Sequence, residues 1–261
     1  VANILEKEGI VKQKIQVVNR AGGSGTTSLN YMYDKAGDAH VVMQFTTGPL
    51  SALLRGSSKL KLEDITFLTM MCMDPNLAFT RIESPYNDMK SAIEFAKKNP
   101  DKLSVAIGTI GGSEHVSAHR VAKASGAQLN MVGFGGGGAA SVAILGGHVD
   151  LGFGNVNEQM GQIEAKQIKP LGVMSPQRIP AMPNVLTMKE QGINAVYVQP
   201  RGFWAPKNFP DYALKFWEDA FFKLSKTKAY QDMLKTSYAV DSFMKHEEVK
   251  AFVNDYMKVL K

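Results

Sequence analysis

The sequence holds a single cysteine, Cys72, in 261 residues. That scarcity excludes an intrachain disulfide, a cysteine-cluster metal site and a CxxC redox pair. Cys72 stands in the apolar run 65–73 and reads as a buried core thiol. No run of about 18 apolar residues occurs, which excludes a transmembrane helix. Also absent is a block of basic residues. The net charge is +6, but the lysines (Lys97, Lys98, Lys223, Lys226, Lys228) are scattered along helical stretches and not interleaved with aromatics. That excludes a nucleic-acid platform and leaves attraction of small anions. Nothing at the N-terminus has the charged, apolar, small-residue order of a signal peptide. Residues 1–7 read as the middle of a helix, so the chain is expected to start downstream of something else.

What the sequence does hold is glycine in two clusters. They are Gly108-Thr109-Ile110-Gly111-Gly112-Ser113 and Gly133-Phe134-Gly135-Gly136-Gly137-Gly138. Each follows an apolar run of strand character (103–107 and 129–132), and each opens into a helical pattern (114–124 and 139–145). A strand that breaks into glycine and then a helix start presents bare N–H groups at the positive end of a helix dipole. That geometry binds phosphate or carboxylate. Neither turn reads GxxxxGK[ST], and no GxGxxG with a downstream acidic residue is present, so a nucleotide site is disfavoured. Four glycines in succession at 135–138 are costly in conformational entropy unless backbone must approach something closely.

Around these turns, strand-like runs at 15–18, 40–45, 65–73, 77–81, 149–153, 170–174 and 196–204 alternate with helical patterns at 87–98, 212–224, 228–236 and 247–260. The 87–98 helix is expected to be capped by Ser84 and Pro85. Alternation implies βα units and an α/β fold with a largely parallel sheet, ligands sitting at the carboxyl ends of strands.

The remaining chemistry is sparse. His115 and His119 stand four apart on one helix, but HExxH and a third ligand are missing, so no metal and no cofactor is expected. Ser113 lies outside GxSxG and suits a helix cap or a hydroxyl donating to ligand. Arg201, in Pro200-Arg201-Gly202-Phe203-Trp204, is either a bidentate carboxylate partner or a surface arginine. Asn155 and Asn157 follow the strand run 149–153, where their amides reach a ligand or merely shape a turn.

The second glycine turn, with Phe134-Gly135-Gly136-Gly137, is followed by Leu145-Gly146-Gly147-His148-Val149-Asp150 and Lys169-Pro170-Leu171-Gly172-Val173. Further on stand Arg178-Ile179-Pro180-Ala181-Met182-Pro183-Asn184-Val185, with Thr187, Glu190 and Gly192, and then Arg201-Gly202-Phe203-Trp204-Ala205-Pro206. In these motifs the chain resembles the Bug family, the periplasmic solute-binding receptors of tripartite tricarboxylate transporters. Upstream, Asn19-Arg20-Ala21-Gly22-Gly23 and the first glycine turn through His115 are similar to that family as well.

The resemblance implies a two-lobed flytrap architecture with a mostly parallel sheet in each lobe. Lobe 1 would comprise 1–78 and 203–261, and lobe 2 would comprise 79–202, closing about segments near 75–82 and 196–204. It implies a monomeric, periplasmic, non-enzymatic receptor that captures a small organic carboxylate and delivers it to membrane permease subunits. Thr46 and Thr47 would contribute from the first lobe, and Gly108, Thr109, Gly112, Ser113, Gly136 and Asn155 from the second, with Phe134 in the second turn. The family's usual opening strand and ligand-contacting loop would lie upstream of Val1. Its tyrosine–lysine pair is Phe134-Gly135 here, which removes a hydroxyl and a cation and points to a larger or less polar ligand. Two other readings stay open. One is an α/β enzyme on an acid substrate, using Ser113, His115 or His119; the other is an effector-sensing domain.

Overall fold

The computed structural model describes residues 1–260. In chain order it runs α1 (Ala2–Lys7), α2 (Thr26–Tyr33), β1 (Met43–Phe45), α3 (Thr47–Leu54), β2 (Thr66–Arg81), α4 (Met89–Lys98), β3 (Ser104–Ile107), α5 (Ser113–Ser125), β4 (Asn130–Gly133) and α6 (Gly137–Leu145). There follow β5 (Leu151–Asn155), α7 (Val156–Glu164), β6 (Ile168–Val173), β7 (Val198–Ala205), α8 (Asp211–Lys226), α9 (Lys228–Thr236), β8 (Val240–Met244) and α10 (His246–Leu260). The chain forms two compact units, Val1–Met73 with Pro200–Lys261, and Asp74–Gln199.

The first unit is built on strands in the order β1-β7-β2-β8, with β1–β7 and β2–β8 antiparallel. Helix α8 covers its core with Ala213, Trp217, Ala220, Phe221 and Leu224, the spacing of one helical face. Phe221 stacks on Phe203 of β7 at 4.5 Å between ring centroids. Tyr230 is fully buried and donates to the Met71 carbonyl at 3.1 Å. A second cluster gathers Phe45, Phe67 and Trp204, the last fully buried. Cys72 is buried in the first of these clusters, as expected.

The second unit has strands in the order β6-β2-β5-β3-β4. Only β3–β4 and β3–β5 are parallel; β2 runs antiparallel to both β5 and β6. The fold is α/β with a mixed sheet, not the mostly parallel sheet expected for each lobe. The cause is β2, which carries the chain out of the first unit and so enters the second against the direction of the βα units around it.

Three local expectations also change. Runs 65–73 and 77–81 are one strand, β2, that continues through Asp74-Pro75. Proline falls in the gap where the ladder to β8 has ended at Met73 and the ladder to β5 begins at Asn76. Residues 15–18 form no strand; Val17 and Val18 are 71% and 57% exposed and no strand pairs with them. Helix α4 starts at Met89, not Asn87, because Asp88 accepts from Ser91 N–H at 2.7 Å and acts as its cap in place of Ser84 and Pro85.

Candidate functional site

The parallel triplet β4-β3-β5 orders the site. Ile107 of β3 lies opposite Gly133 of β4, and Phe134 N–H extends the ladder by donating to Ile107 O at 2.9 Å. Each strand runs from its carboxyl end directly into a helix: β3 into α5, β4 into α6 and β5 into α7. Three adjacent parallel strands therefore deliver three helix N-termini to one edge of the sheet. Two were legible as glycine turns; the third, α7, follows the strand that ends in Asn155.

The N-cap residues offer these N-termini no side-chain acceptor, and only at α5 does a carboxyl of the first turn, that of Glu114, take a backbone N–H, its own. Gly112 caps α5, Gly136 caps α6 and Asn155 caps α7, and none of the three accepts a backbone N–H of its helix on its side chain. By contrast, Asp88 and Thr227 cap α4 and α9 with their side chains. Each uncapped terminus carries roughly half a positive charge, together with N–H groups the helix itself cannot satisfy.

Glycine is required at two points. Gly136 has φ +146°, a conformation side chains rarely adopt. At Gly108 the need is space, since a Cβ would stand 2.8 Å from both Cα and N of Gly137 and 3.1 Å from Gly136 C. The two glycine turns thus lie backbone against backbone. A Cβ on Gly135, Gly136, Gly137 or Gly138 would meet no protein atom within 4 Å. This run consequently presents unshielded backbone on the side its side chains would have covered.

Beneath the turns lies a buried polar chain. Asn76 of β2, fully buried, donates through Nδ2 to Asn155 Oδ1 at 2.9 Å. Ser117 of α5, also fully buried, donates to Asn76 Oδ1 at 3.5 Å. The Asn155 Nδ2 donates to Glu158 Oε1 at 3.3 Å, in the first turn of α7. The Asn155 amide is thus engaged at both ends and fixes where β5 hands over to α7. Asn76, Ser117 and Glu158 were not singled out from the sequence. Nothing local marked Asn76, which falls in the break Asp74-Pro75-Asn76 between the two apolar runs.

The other expected residues are distributed as follows. Thr109 accepts through its carbonyl from Gly112 N–H at 2.9 Å, closing the first turn. His115 also belongs to that turn, its Nδ1 accepting from Gly111 N–H at 3.0 Å. Accepting there leaves the ring proton on Nε2 and makes His115 a brace for the loop. Ser113 opens α5 half-buried, Phe134 is half-buried between the turns' glycines, and His119 is exposed. Thr46, Thr47 and Arg201 belong to the other unit. Thr46 precedes α3 in extended conformation, whereas Thr47 is fully buried with its hydroxyl 2.9 Å from the Tyr256 hydroxyl. Arg201 is half-buried on β7. Among the described residues no three His, Cys, Asp or Glu side chains converge as metal ligands.

The family described as "Tripartite tricarboxylate transporter family receptor", TctC, matches residues 2–261. The chain belongs to that family. This TctC receptor is 28% identical over 204 residues to a UPF0065 protein in the tcbD-tcbE intergenic region of Pseudomonas sp. (strain P51). That match covers 77% of the chain and 61% of the relative, so it spans about three fifths of the relative's length. Its fold matches that of MatC from Rhodopseudomonas palustris with bound malate, with a TM-score of 0.85 at 18% identity, over 100% of this chain and 93% of that one. An R. palustris protein with adipate gives a TM-score of 0.89 at 20% identity, over 99% of this chain and 88% of that one. The chain has an α/β fold that also matches the structure of periplasmic binding protein BugD, with a TM-score of 0.87 at 22% identity, over 99% of this chain and 88% of that one. No described helix is long and apolar enough to cross a membrane.

Proposed function

We propose that this receptor captures a small organic carboxylate at the helix starts of α5, α6 and α7, in the periplasm, and passes it as a monomer to the permease subunits of a tripartite transporter. The observation that carries the reading is the set of three uncapped N-termini at adjacent parallel strand ends. Gly108, Thr109, Gly112, Ser113, Phe134, Gly136 and Asn155 form or brace that edge. Backbone N–H groups do the binding, supported by the Ser113 hydroxyl, and no ion pair is required. For Thr46, Thr47 and Arg201 the proposal rests on the family resemblance and on the chemistry of a guanidinium. Nothing in the site calls for catalysis, since the Nδ1 of His115 is committed to the loop backbone.

Isothermal titration against malate, adipate and a panel of mono-, di- and tricarboxylates tests the proposal. Saturable one-to-one binding of at least one member, weakened by Ser113→Ala, is the expected result. A folded protein that binds none of them refutes it.

A further inference from the structure

One group at this edge has the wrong sign for an anion site. Glu114 stands in the first turn of α5, half-buried, and its side chain folds back over the preceding glycine. A Cβ on Gly112 would lie 2.9 Å from Glu114 Oε2. Glu158, the second acidic side chain, stands in the first turn of the neighbouring α7 and takes the Asn155 amide. A ligand carboxylate bound at these helix starts therefore meets a half-buried carboxyl and, beside it, an exposed carboxylate. Two carboxylates that share a site do not both ionise freely, and a third arriving anion sharpens the conflict.

We propose that Glu114 takes up one proton when a dicarboxylate is captured, so that it meets the ligand as a neutral hydrogen-bond donor and makes affinity fall with rising pH. The inference rests on the carboxylate reading of the site given above. Burial already raises the Glu114 carboxyl above the ordinary range; its own backbone N–H pulls it down, the charge of Glu158 raises it further, and the Ser113 hydroxyl lowers it. The strands packed against α5, β3 and β5, bring no titratable side chain to it. From β2, in the same unit, the amide of Asn76 reaches α5 at Ser117. On α5 itself the neighbouring titratable group is His115, held by Gly111. Among the described residues, the charge that acts on the Glu114 carboxyl is that of Glu158, which opposes ionisation.

The test is titration of the wild-type protein with adipate, with malate as second ligand, between pH 5.5 and 8.5 in two buffers of different ionisation enthalpy. The expected result is uptake of close to one proton per ligand near neutrality and a dissociation constant that rises up to about tenfold per pH unit above the transition. Glu114→Gln should bind with flat pH dependence and no buffer effect. Glu158→Gln should move the transition to lower pH without abolishing it. Ligand binding with no proton uptake overturns the inference and leaves the carboxylate reading intact. So does proton uptake that survives in Glu114→Gln, or loss of binding in a folded Glu114→Gln, which would mark the charged carboxylate as the recognition element. If the folded wild-type protein binds neither ligand at any pH, the carboxylate reading falls and this inference with it.

Discussion

The contact between the two glycine turns makes Gly108→Ala the most revealing substitution. An alanine methyl there would sit 2.8 Å from two backbone atoms of Gly137. Ordinary carbon contacts lie at about 3.5–4.0 Å, so strand end and helix start must separate by roughly 0.7–1.2 Å. The obstruction is backbone at the start of a helix, not the tip of a flexible side chain, so it does not yield by a rotamer change. Overpacking of this kind costs about 1–3 kcal/mol. At about 2–4 °C per kcal/mol for a domain of 150–250 residues, the melting temperature falls by roughly 2–12 °C. Affinity falls as well, because a shift near 1 Å takes the α6 N–H groups out of hydrogen-bond range of a carboxylate. One such charge-assisted bond is worth about 1.5–3 kcal/mol, or about a 10- to 150-fold weaker dissociation constant. Gly138→Ala is the control: its methyl meets no protein atom within 4 Å, and alanine replaces glycine inside a helix. It should gain about 0.5–1 kcal/mol. Thermal melts and adipate titrations of both variants read the outcome. A Gly108→Ala protein with wild-type melting and wild-type affinity refutes the argument.

Asn76→Ala removes the donor that Asn155 Oδ1 accepts and leaves that oxygen buried without it; a loss of about 1–3 kcal/mol in denaturant unfolding is expected, with weaker ligand binding. Glu190, held by Arg178 and the Thr187 N–H, has its carboxyl lowered to about 2. Its stabilising contribution is present above the ordinary carboxylate range and is lost as pH falls through about 2, so NMR should show Glu190 titrating near 2 in the wild type and in the ordinary range in Arg178→Ala. Thr47→Val removes the hydroxyl beside Tyr256 and should cost about 1 kcal/mol in stability, read by thermal melts.

The glycine turns, the strands before them and the helices after them were legible because each has a local signature: an apolar run, a break, and then helical spacing. Helices α9 and α10 were legible for the same reason. The direction of β2 was not, because strand polarity in a sheet is set by which strands meet, and residues 66–81 alone are equally consistent with either direction. Its passage through Pro75 was hidden for a related cause. A proline reads as a break until one knows that the two ladders of β2 end and begin on either side of it. Residues 15–18 failed in the opposite sense: Ile15, Val17 and Val18 carry strand propensity, yet no partner strand covers them. At the site, Asn155 was found by its position after a strand, whereas Asn76 was not, since its role depends on a contact 79 residues away in sequence.

Sheet polarity also explains why the helix starts proposed to hold the carboxylate gather where they do. A parallel strand places its carboxyl end at the same edge as its neighbour's, and a βα connection starts a helix there each time. In the second unit only β4, β3 and β5 satisfy both conditions side by side, and α6, α5 and α7 begin at that shared edge. The antiparallel β2 brings no helix start to it. It contributes Asn76, whose amide locks the end of β5 from beneath. Backbone donors need no particular side chain to hold an anion, but they do need their helix starts fixed to within a fraction of an ångström. Specificity then falls to the few side chains that interrupt the bare backbone. Glu114 and Glu158 are the two with charge, and on the inference above the protonation of Glu114 decides whether the edge greets a second carboxylate as an anion or as an acid.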